Sequence, residues 1–147
     1  MTENSQIKVE HISTFDGLNI VEFNALRDKG TEWNEQQGKK FLANDDSALF
    51  LALAENHIVG FLTAYRLQRL DKKKAEVLLY EISVADNFRQ RGIGKVLIGK
   101  LKEWASQIES DEVWVLTNRS NVAAIALYTS LGGSIESTDE QMFTFKM

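Results

Sequence analysis

Cysteine and proline are both absent from this chain of 147 residues, and histidine occurs only twice. Without cysteine the chain can have no disulfide framework, no thiolate metal ligand and no cysteine nucleophile. Two histidines are too few for a His-rich metal site, so we predict that the protein binds no metal. Because proline is missing, glycine and asparagine must mark the ends of helices and strands.

Long apolar runs and a basic charge balance are absent as well. No segment approaches the roughly 18 apolar residues of a membrane-spanning helix, and the first residues, MTENSQIKVEH, lack the basic and apolar regions of a signal peptide. A net charge of -4 argues against a nucleic-acid partner and is compatible with a cationic small molecule. We therefore predict a cytoplasmic protein with one domain over residues 1–147 and neither a nucleic-acid nor a membrane partner.

Apolar periodicity predicts alternating helices and strands. Asp16 is placed to cap a first helix that ends near Gly30, and residues 32–44 have the spacing of a second helix. A third helix follows Gly94, and a fourth lies between Asn121 as its cap and Gly132 at its end. Alternation of polar and apolar side chains predicts strands at residues 7–13, 48–55, 57–67, 77–84, 112–117, 134–137 and 142–147.

A glycine-containing turn, RQRGIG at residues 89–94, joins the strand at 77–84 to the third helix. A dinucleotide fingerprint would need glycine where Leu97 stands, and a nucleotide-triphosphate loop would need a hydroxyl where Val96 stands. Both are excluded. Glycines at a helix N-terminus still let backbone N–H groups approach an anion, so the turn is predicted to hold a phosphate. An ordinary tight loop with solvated arginines is the alternative.

Two motifs carry a family resemblance. The turn resembles the R/Q-x-x-G-x-G/A acetyl-coenzyme A motif of the GCN5-related N-acetyltransferase (GNAT) superfamily. The segment NVAAIALYTSLGG is similar to that superfamily's N-x-x-A-x-x-L-Y-x-x-x-G motif, with matches at Asn121, Ala124, Leu127, Tyr128 and Gly132. The resemblance implies an α/β (α+β) GNAT fold. Its sheet would be mixed, mostly antiparallel and seven-stranded, splayed between strands 4 and 5 and flanked by about four helices.

Within the superfamily, the sequence is most similar to class I aminoglycoside 3-N-acetyltransferases. They share a G-x-L-x-A-Y strand, an acidic residue within Y-[DE]-[LI]-x-V, and ALYTKLG. The sequence departs from them at Thr117 and Asn118, where their strand ends in more acidic residues, and in the C-terminal acidic stretch. The resemblance implies acetylation of an aminoglycoside at its 3-amino group, a role in antibiotic resistance and a homodimer.

Three side chains are candidates for proton transfer. An amine with a pKa of about 10 is mostly protonated at neutral pH, so a carboxylate must accept its proton before it attacks a thioester. Glu81 is the predicted base, because the class I enzymes have an acidic residue at the matching position, and Glu76 is the weaker candidate. Tyr128 is predicted to protonate the departing thiolate. From the residues alone, a solvent-facing Glu81 and a core Tyr128 remain alternatives.

The resemblance also assigns residues to the cosubstrate, acetyl-CoA. Residues 82–84 would pair with the amides of pantetheine, and backbone N–H groups near Ile82 would hold the oxyanion where the family bulges this strand. Asn121 would cap its helix and touch the cosubstrate. The predicted acetyl-CoA-binding residues are Ile82, Ser83, Val84, Arg89, Gln90, Arg91, Gly92, Ile93, Gly94, Lys95 and Asn121.

The predicted acceptor site combines carboxylates with an aromatic ring, which suits an amino sugar or a polyamine. Its predicted residues are Glu32, Trp33, Glu35, Asp139 and Glu140. Trp33 as a core residue is the alternative. Because cysteine is absent, an acetyl-cysteine intermediate is excluded and direct transfer in a ternary complex is predicted. The competing hypotheses are a polyamine or protein N-acetyltransferase and a catalytically silent acetyl-CoA-binding module; Glu81 and Tyr128 together favour the enzyme.

Overall fold

A computed structural model describes residues 6–27 and 32–147. The chain divides into two compact units, Met1–Leu116 and Thr117–Met147, and the single domain stays a prediction. In the described residues, unit 1 contains five strands and three α-helices, and unit 2 contains the fourth α-helix. The strands are β1 (Ile7–His11), β2 (Ser47–Ala54), β3 (His57–Leu67), β4 (Ala75–Val84) and β5 (Ser110–Val115). The helices are α1 (Ile20–Leu26), α2 (Glu35–Ala43), α3 (Ile93–Gln107) and α4 (Val122–Ser130).

The strands form one mixed sheet in the order β1-β2-β3-β4-β5. Neighbouring strands from β1 to β4 are antiparallel, and β5 runs parallel to β4. This confirms the predicted α+β class, the mixed sheet and the four helices. β2 is apolar along nearly its whole length because both of its faces are covered, by α2 on one side and α3 on the other.

The prediction of seven strands is wrong for the described chain. Residues 134–137 and 142–147 contain no strand, and Phe143 and Phe145 are 79% and 86% exposed. Alternation decides only which face of a strand is apolar, whereas a strand exists when its backbone N–H and C=O groups pair with a neighbour. The pattern in the last residues is therefore present without the pairing.

The first two helices begin later than predicted because asparagines cap them. Oδ1 of Asn19 accepts from the N–H groups of Val21 and Glu22, so α1 begins at Ile20. Asp16, the predicted cap, lies in a loop where its N–H donates to the Thr14 hydroxyl. The predicted helix end near Gly30 lies outside the described residues. An asparagine side chain also caps α2. Asn34 is the N-cap, so the helix begins at Glu35 rather than at Glu32.

The predicted hairpin between β2 and β3 is confirmed. Glu55 and Asn56 form its two-residue turn with φ values of 50° and 68°, and Ala54 pairs directly with His57. Positive φ at both central residues is the signature of a type I′ turn, whose twist matches that of the flanking strands. The turn fixes the register of β3 and therefore which of its side chains share a face.

A hydrophobic core fills the face of the sheet that α1 and α2 cover. Trp33 and Phe15 lie at its edge, with their rings 4.9 Å apart and nearly perpendicular. Gly38 of α2 lies against both rings. The buried members of this core are Ile12, Phe23, Leu49, Leu51, Ile58 and Phe61.

Gly38→Ala is expected to destabilise the fold by about 1–3 kcal/mol, the usual range for overpacking. A Cβ at this position would stand 2.7 Å from Cη2 of Trp33 and 2.9 Å from Cε2 of Phe15. Gly99→Ala is the matched control, because nothing lies within 4 Å of a Cβ there and alanine is the better helix former. Chemical denaturation should show a lower free energy of unfolding for Gly38→Ala and a higher one for Gly99→Ala. Equal stabilisation of the two variants would contradict the packing of Gly38 against the two rings.

Candidate active site

The turn between β4 and α3 leads into a helix whose first N–H groups no side chain caps. Gly92 precedes α3 with φ of +80°, a left-handed conformation that favours glycine, and no side chain caps the helix there. Gln90 also has a positive φ, 61°. The N–H of Val96 donates to the C=O of Gly92 (3.1 Å), so the N–H groups of residues 93–95 have no acceptor within α3. Unpaired N–H groups at the positive end of a helix dipole favour anions, so this turn is the candidate phosphate site.

The arginines of the turn are folded back onto nearby groups. Nε of Arg89 donates to the C=O of Val84 (3.3 Å), and its Nη2 lies 3.3 Å from the exposed carboxylate of Asp86. The Arg91 guanidinium lies over the Phe88 ring, 5.0 Å from its centroid. Exposed ion pairs are worth about 0–1 kcal/mol. An anion bound at the start of α3 can therefore attract both side chains at little cost.

The β4 backbone is open along the half that leads to this turn. β5 pairs with Ala75–Leu79 only, whereas β3 pairs with β4 as far as Val84. In the described chain, Tyr80–Val84 therefore has no strand paired on its β5 side. A sheet that is splayed between its fourth and fifth strands has such an unpaired stretch. An extended ligand can add to such an edge as a strand would. The predicted pantetheine-binding residues in this stretch are Ile82, Ser83 and Val84.

A β-bulge marks the start of the open stretch. Glu81 pairs with Thr63 and Leu79 pairs with Ala64, which leaves Tyr80 as the extra residue of β4. A bulge interrupts the ladder and turns two consecutive side chains toward one face. The Tyr80 ring accordingly lies 5.3 Å from that of Tyr65, while the Glu81 carboxylate accepts a hydrogen bond from Thr63. The bulge predicted near Ile82 is thus centred two residues earlier.

Glu81 lies beside aromatic rings on the α1 and α2 side of the sheet. Thr63 Oγ1 donates to its Oε2 at 3.1 Å. The Tyr65 ring meets the rings of Tyr80 and, at 5.8 Å, of Phe41 from α2. Burial and then the proximity of Tyr80 and Glu81 raise the pKa of Tyr65, so this phenol stays protonated beside the carboxylate. We call Phe41, Tyr65, Tyr80 and Glu81 the acceptor face.

Glu76, the weaker candidate base, is engaged elsewhere. Its Oε2 lies 2.8 Å from Nη1 of Arg69, and its side chain is only 17% exposed. It pairs with the end of β3 at Leu67, at the far end of β4 from the open stretch. This ion pair ties the β3–β4 loop to β4, and Glu81 is left as the base candidate.

The predicted acceptor residues near α2 are not on the acceptor face. Trp33 packs against Phe15 and Phe23 at the edge of the core, and Glu35 forms an exposed ion pair with Lys39 (3.4 Å). Trp33 and Glu35 line a cavity of 220 Å³ between the β1–α1 loop and α2. Glu32 is exposed. The residue of α2 whose ring meets Tyr65 is Phe41.

In unit 2, two of the predicted residues belong to α4 and its N-cap. Oδ1 of Asn121 accepts from the N–H of Ala124 (3.1 Å), which confirms the helix cap. Tyr128 is half-buried, and burial raises the pKa of its phenol above the ordinary value of 10, so the phenol is protonated at neutral pH. Gly132 ends the helix with φ of +89°. The remaining predicted acceptor residues, both exposed, are Asp139 and Glu140.

Sequence reasoning missed Thr63, Tyr65, Tyr80 and Phe41. The alternation of the strand T-A-Y, with a buried alanine between two larger side chains, places Thr63 and Tyr65 on one face. That signal was available. Tyr80 could not be found in this way, because strict alternation puts residues 80 and 81 on opposite faces.

Metal sites and membrane-spanning helices have no candidate in the part of the chain that the structure describes. Residues 6–27 and 32–147 contain no group of three or more His, Cys, Asp or Glu side chains arranged to hold a metal ion. In the same residues, every helix is too short or too polar to cross a membrane.

Comparison with known proteins identifies the family. The sequence profile of the "Acetyltransferase (GNAT) family" matches residues 18–132. The chain belongs to this family, whose enzymes use acetyl-CoA. The predicted superfamily is confirmed.

Individual relatives agree with this assignment. N-acetyltransferase family 8 member 3 of Mus musculus is 25% identical over 107 residues, which are 73% of this chain and 46% of the relative. The chain thus spans about half the length of this curated relative.

Two solved structures have the same fold. An aminoglycoside acetyltransferase from an uncultured soil metagenomic sample, in complex with trehalose, is 25% identical with a TM-score of 0.85, over 97% of this chain and 99% of that one. The aminoglycoside N-acetyltransferase AAC(6')-Iy, in complex with CoA, is 25% identical with a TM-score of 0.73 over the same shares.

Proposed function

We propose that the protein transfers the acetyl group of acetyl-CoA to a small cationic amine. An aminoglycoside is the proposed acceptor, and its 3-amino group is the proposed position. The observation that carries this proposal is Glu81 on the acceptor face, directly beside the open edge of β4. A cytoplasmic location and a homodimer remain predictions.

The residues present fit acetyl-CoA. The unpaired N–H groups at the start of α3 and the left-handed Gly92 would hold its pyrophosphate. The open edge at Ile82–Val84 would pair with the pantetheine amides. Bound in this way, the cosubstrate supplies an activated acetyl thioester, and its acetyl end would lie toward the bulge because the pyrophosphate is held at the other end of the stretch.

The chemistry is a direct transfer. The amine nitrogen attacks the thioester carbonyl carbon, so a C–N bond forms and the C–S bond breaks. Glu81 accepts the proton that the amine loses, directly or through a water molecule. Backbone N–H groups near Ile82 would hold the oxyanion, and Tyr128 would give its phenolic proton to the thiolate. The sequence has no cysteine that could carry the acetyl group in between.

The acceptor face suits a cationic amine with a ring-shaped body. Tyr80 is 60% exposed, and a cation over such a ring gains about 0.5–1 kcal/mol at an exposed site. Glu81 adds a carboxylate within the same face. Glu32, Glu35, Asp139 and Glu140 are exposed and lie outside the acceptor face as defined here; they remain the proposed further carboxylates for a cationic acceptor. The aminoglycoside acetyltransferases of the same fold support this choice.

A thiol-release assay against a panel of amines tests the acceptor. Aminoglycosides should have kcat/KM about tenfold to hundredfold above simple mono-amines, because each exposed ion pair adds about 0–1 kcal/mol and several act together. The advantage should shrink as ionic strength rises, since the Debye length falls from about 30 Å at 0.01 M to about 8 Å at 0.15 M. Glu35→Gln should raise the KM for the aminoglycoside. Glu103→Gln is the matched control, because Glu103 is an exposed carboxylate on the outer face of α3 that also pairs with a lysine of its own helix.

Each alternative has its own outcome in the same assay. Equal activity on mono-amines without salt dependence would contradict a polycationic acceptor. Preference for a polyamine or a peptide N-terminus would identify a different acceptor class. Binding of acetyl-CoA without release of thiol to any amine would indicate a silent binding module. NMR of the product decides whether the 3-amino group or another position is acetylated.

A further inference from the structure

Thr63 is the buried polar side chain of the core. Its residue is 8% exposed and is the one polar member of the buried set in the described chain. It lies on β3 directly opposite Glu81 of β4. Its hydroxyl donates to Oε2 of Glu81 at 3.1 Å. Among the described residues, this is the hydrogen bond that the Glu81 carboxylate accepts.

A buried threonine hydroxyl destabilises the fold unless it forms a hydrogen bond. Burying a hydroxyl is unfavourable without a partner, and valine has the same shape and an equal preference for strands. Threonine's partner here is a carboxylate that is itself exposed and could be satisfied by water. The bond is therefore not needed to satisfy Glu81, although it does restrict how the Glu81 side chain can rotate.

The single hydroxyl hydrogen also distinguishes the two carboxylate oxygens. It binds one lone pair of Oε2, so Oε1, which accepts no hydrogen bond from the described residues, is the more available oxygen for the amine proton. Because Thr63 is held in the core and β-branched side chains are stiff at χ1, the donor position is fixed. A base held in one geometry beside a bulge is pre-positioned for the attacking amine, and such positioning lowers the barrier by removing rotational freedom in advance.

We propose that Thr63 is a positioning residue for acetyl transfer: its hydroxyl holds the Glu81 carboxylate in the orientation that accepts the amine proton. The inference rests on the proposed role of Glu81 as the base. The competing explanation is an ordinary cross-strand pair that only stabilises the sheet. The two differ in what they predict for kcat, for the KM of acetyl-CoA and for melting temperature.

The test compares Thr63→Val, Thr63→Ser, Glu81→Gln and the double variant Thr63→Val/Glu81→Gln in the thiol-release assay with an aminoglycoside. Thr63→Val should lower kcat about tenfold to hundredfold, the range for losing a hydrogen bond to a charged group. The KM for acetyl-CoA and the melting temperature should stay unchanged, because the shape of the side chain is kept. Thr63→Ser, which keeps the hydroxyl, should restore most of kcat. In the Glu81→Gln background, adding Thr63→Val should cost less than about twofold, since the coupled partner is already gone.

Three outcomes overturn the positioning role while leaving the proposed function in place. In the first, kcat of Thr63→Val is unchanged, and the bond is only a sheet pair. In the second, Thr63→Ser is as slow as Thr63→Val, and packing is responsible. In the third, Thr63→Val has its full effect in the Glu81→Gln background, and Thr63 acts through another group. A wild-type chain that binds acetyl-CoA and acetylates no amine overturns the proposed function and the positioning role together.

Discussion

Gly92→Asp is expected to abolish the rise in melting temperature that acetyl-CoA gives the wild-type chain. A ligand that binds only the folded state stabilises it by about 2.7 kcal/mol at a concentration of 100 Kd. An aspartate at this position puts a negative charge beside the N–H groups at residues 93–95, where the pyrophosphate would bind. Placing like charges together costs several kcal/mol, so Kd should rise about a hundredfold or more. Thermal shift and calorimetric titration measure both effects.

Two control variants separate charge from backbone strain. Gly92→Ala has the same unfavourable φ of +80° without the charge, so it should lose stability and keep most of its affinity for acetyl-CoA. Gly99→Asp places the same charge on α3 away from its N-terminus, at a position with open space, and should bind normally. If Gly92→Asp also binds normally, the start of α3 is not the phosphate site.

The geometry of the turn between β4 and α3 was predictable because it depends on local chemistry, whereas its role in binding phosphate stays a prediction. A glycine with positive φ, a helix N-terminus and basic neighbours are all encoded within residues 89–95. The hairpin at Glu55 and Asn56 and the asparagine cap of α4 were predictable for the same reason. Each is a contact between groups that are close in the chain, and none depends on tertiary packing.

Helix starts were harder, because several residues could cap the same helix. Asp16 and Asn19 are both good cap residues. The choice depends on the preceding loop, in which the N–H of Asp16 is bound to Thr14, and the Asn19 side chain takes the capping role. The strands predicted at residues 134–137 and 142–147 failed for the related reason that alternation cannot supply a pairing partner.

The acceptor face was the least predictable part of the site. Glu81 was predicted from the resemblance to the class I enzymes, but its surroundings depend on the register between β3 and β4. The shift of one residue at Tyr80 brings Tyr80 and Glu81 to one face and sets Thr63 opposite the carboxylate. Only long-range pairing determines that shift. Trp33, which the sequence offered as an acceptor residue or a core residue, lies at the edge of the core.

Tyr128→Phe is expected to lower kcat about 10²- to 10⁴-fold, the range for losing a general acid. The ring and its packing are kept, so the melting temperature and its rise with acetyl-CoA should be nearly unchanged. The melting temperature is the control for folding, and its rise with acetyl-CoA is the control for cosubstrate binding.

The pH dependence of kcat gives the second readout for Tyr128. A general acid must be protonated to act, and burial raises the pKa of this phenol above 10. The wild-type rate should therefore show no loss that is due to Tyr128 until the pH exceeds 10. The phenylalanine variant has no phenol to titrate. The ratio of wild-type kcat to variant kcat should therefore stay constant through neutral pH and fall only above pH 10. An unchanged kcat in Tyr128→Phe would mean that solvent protonates the thiolate and that Tyr128 is only a packing residue of α4.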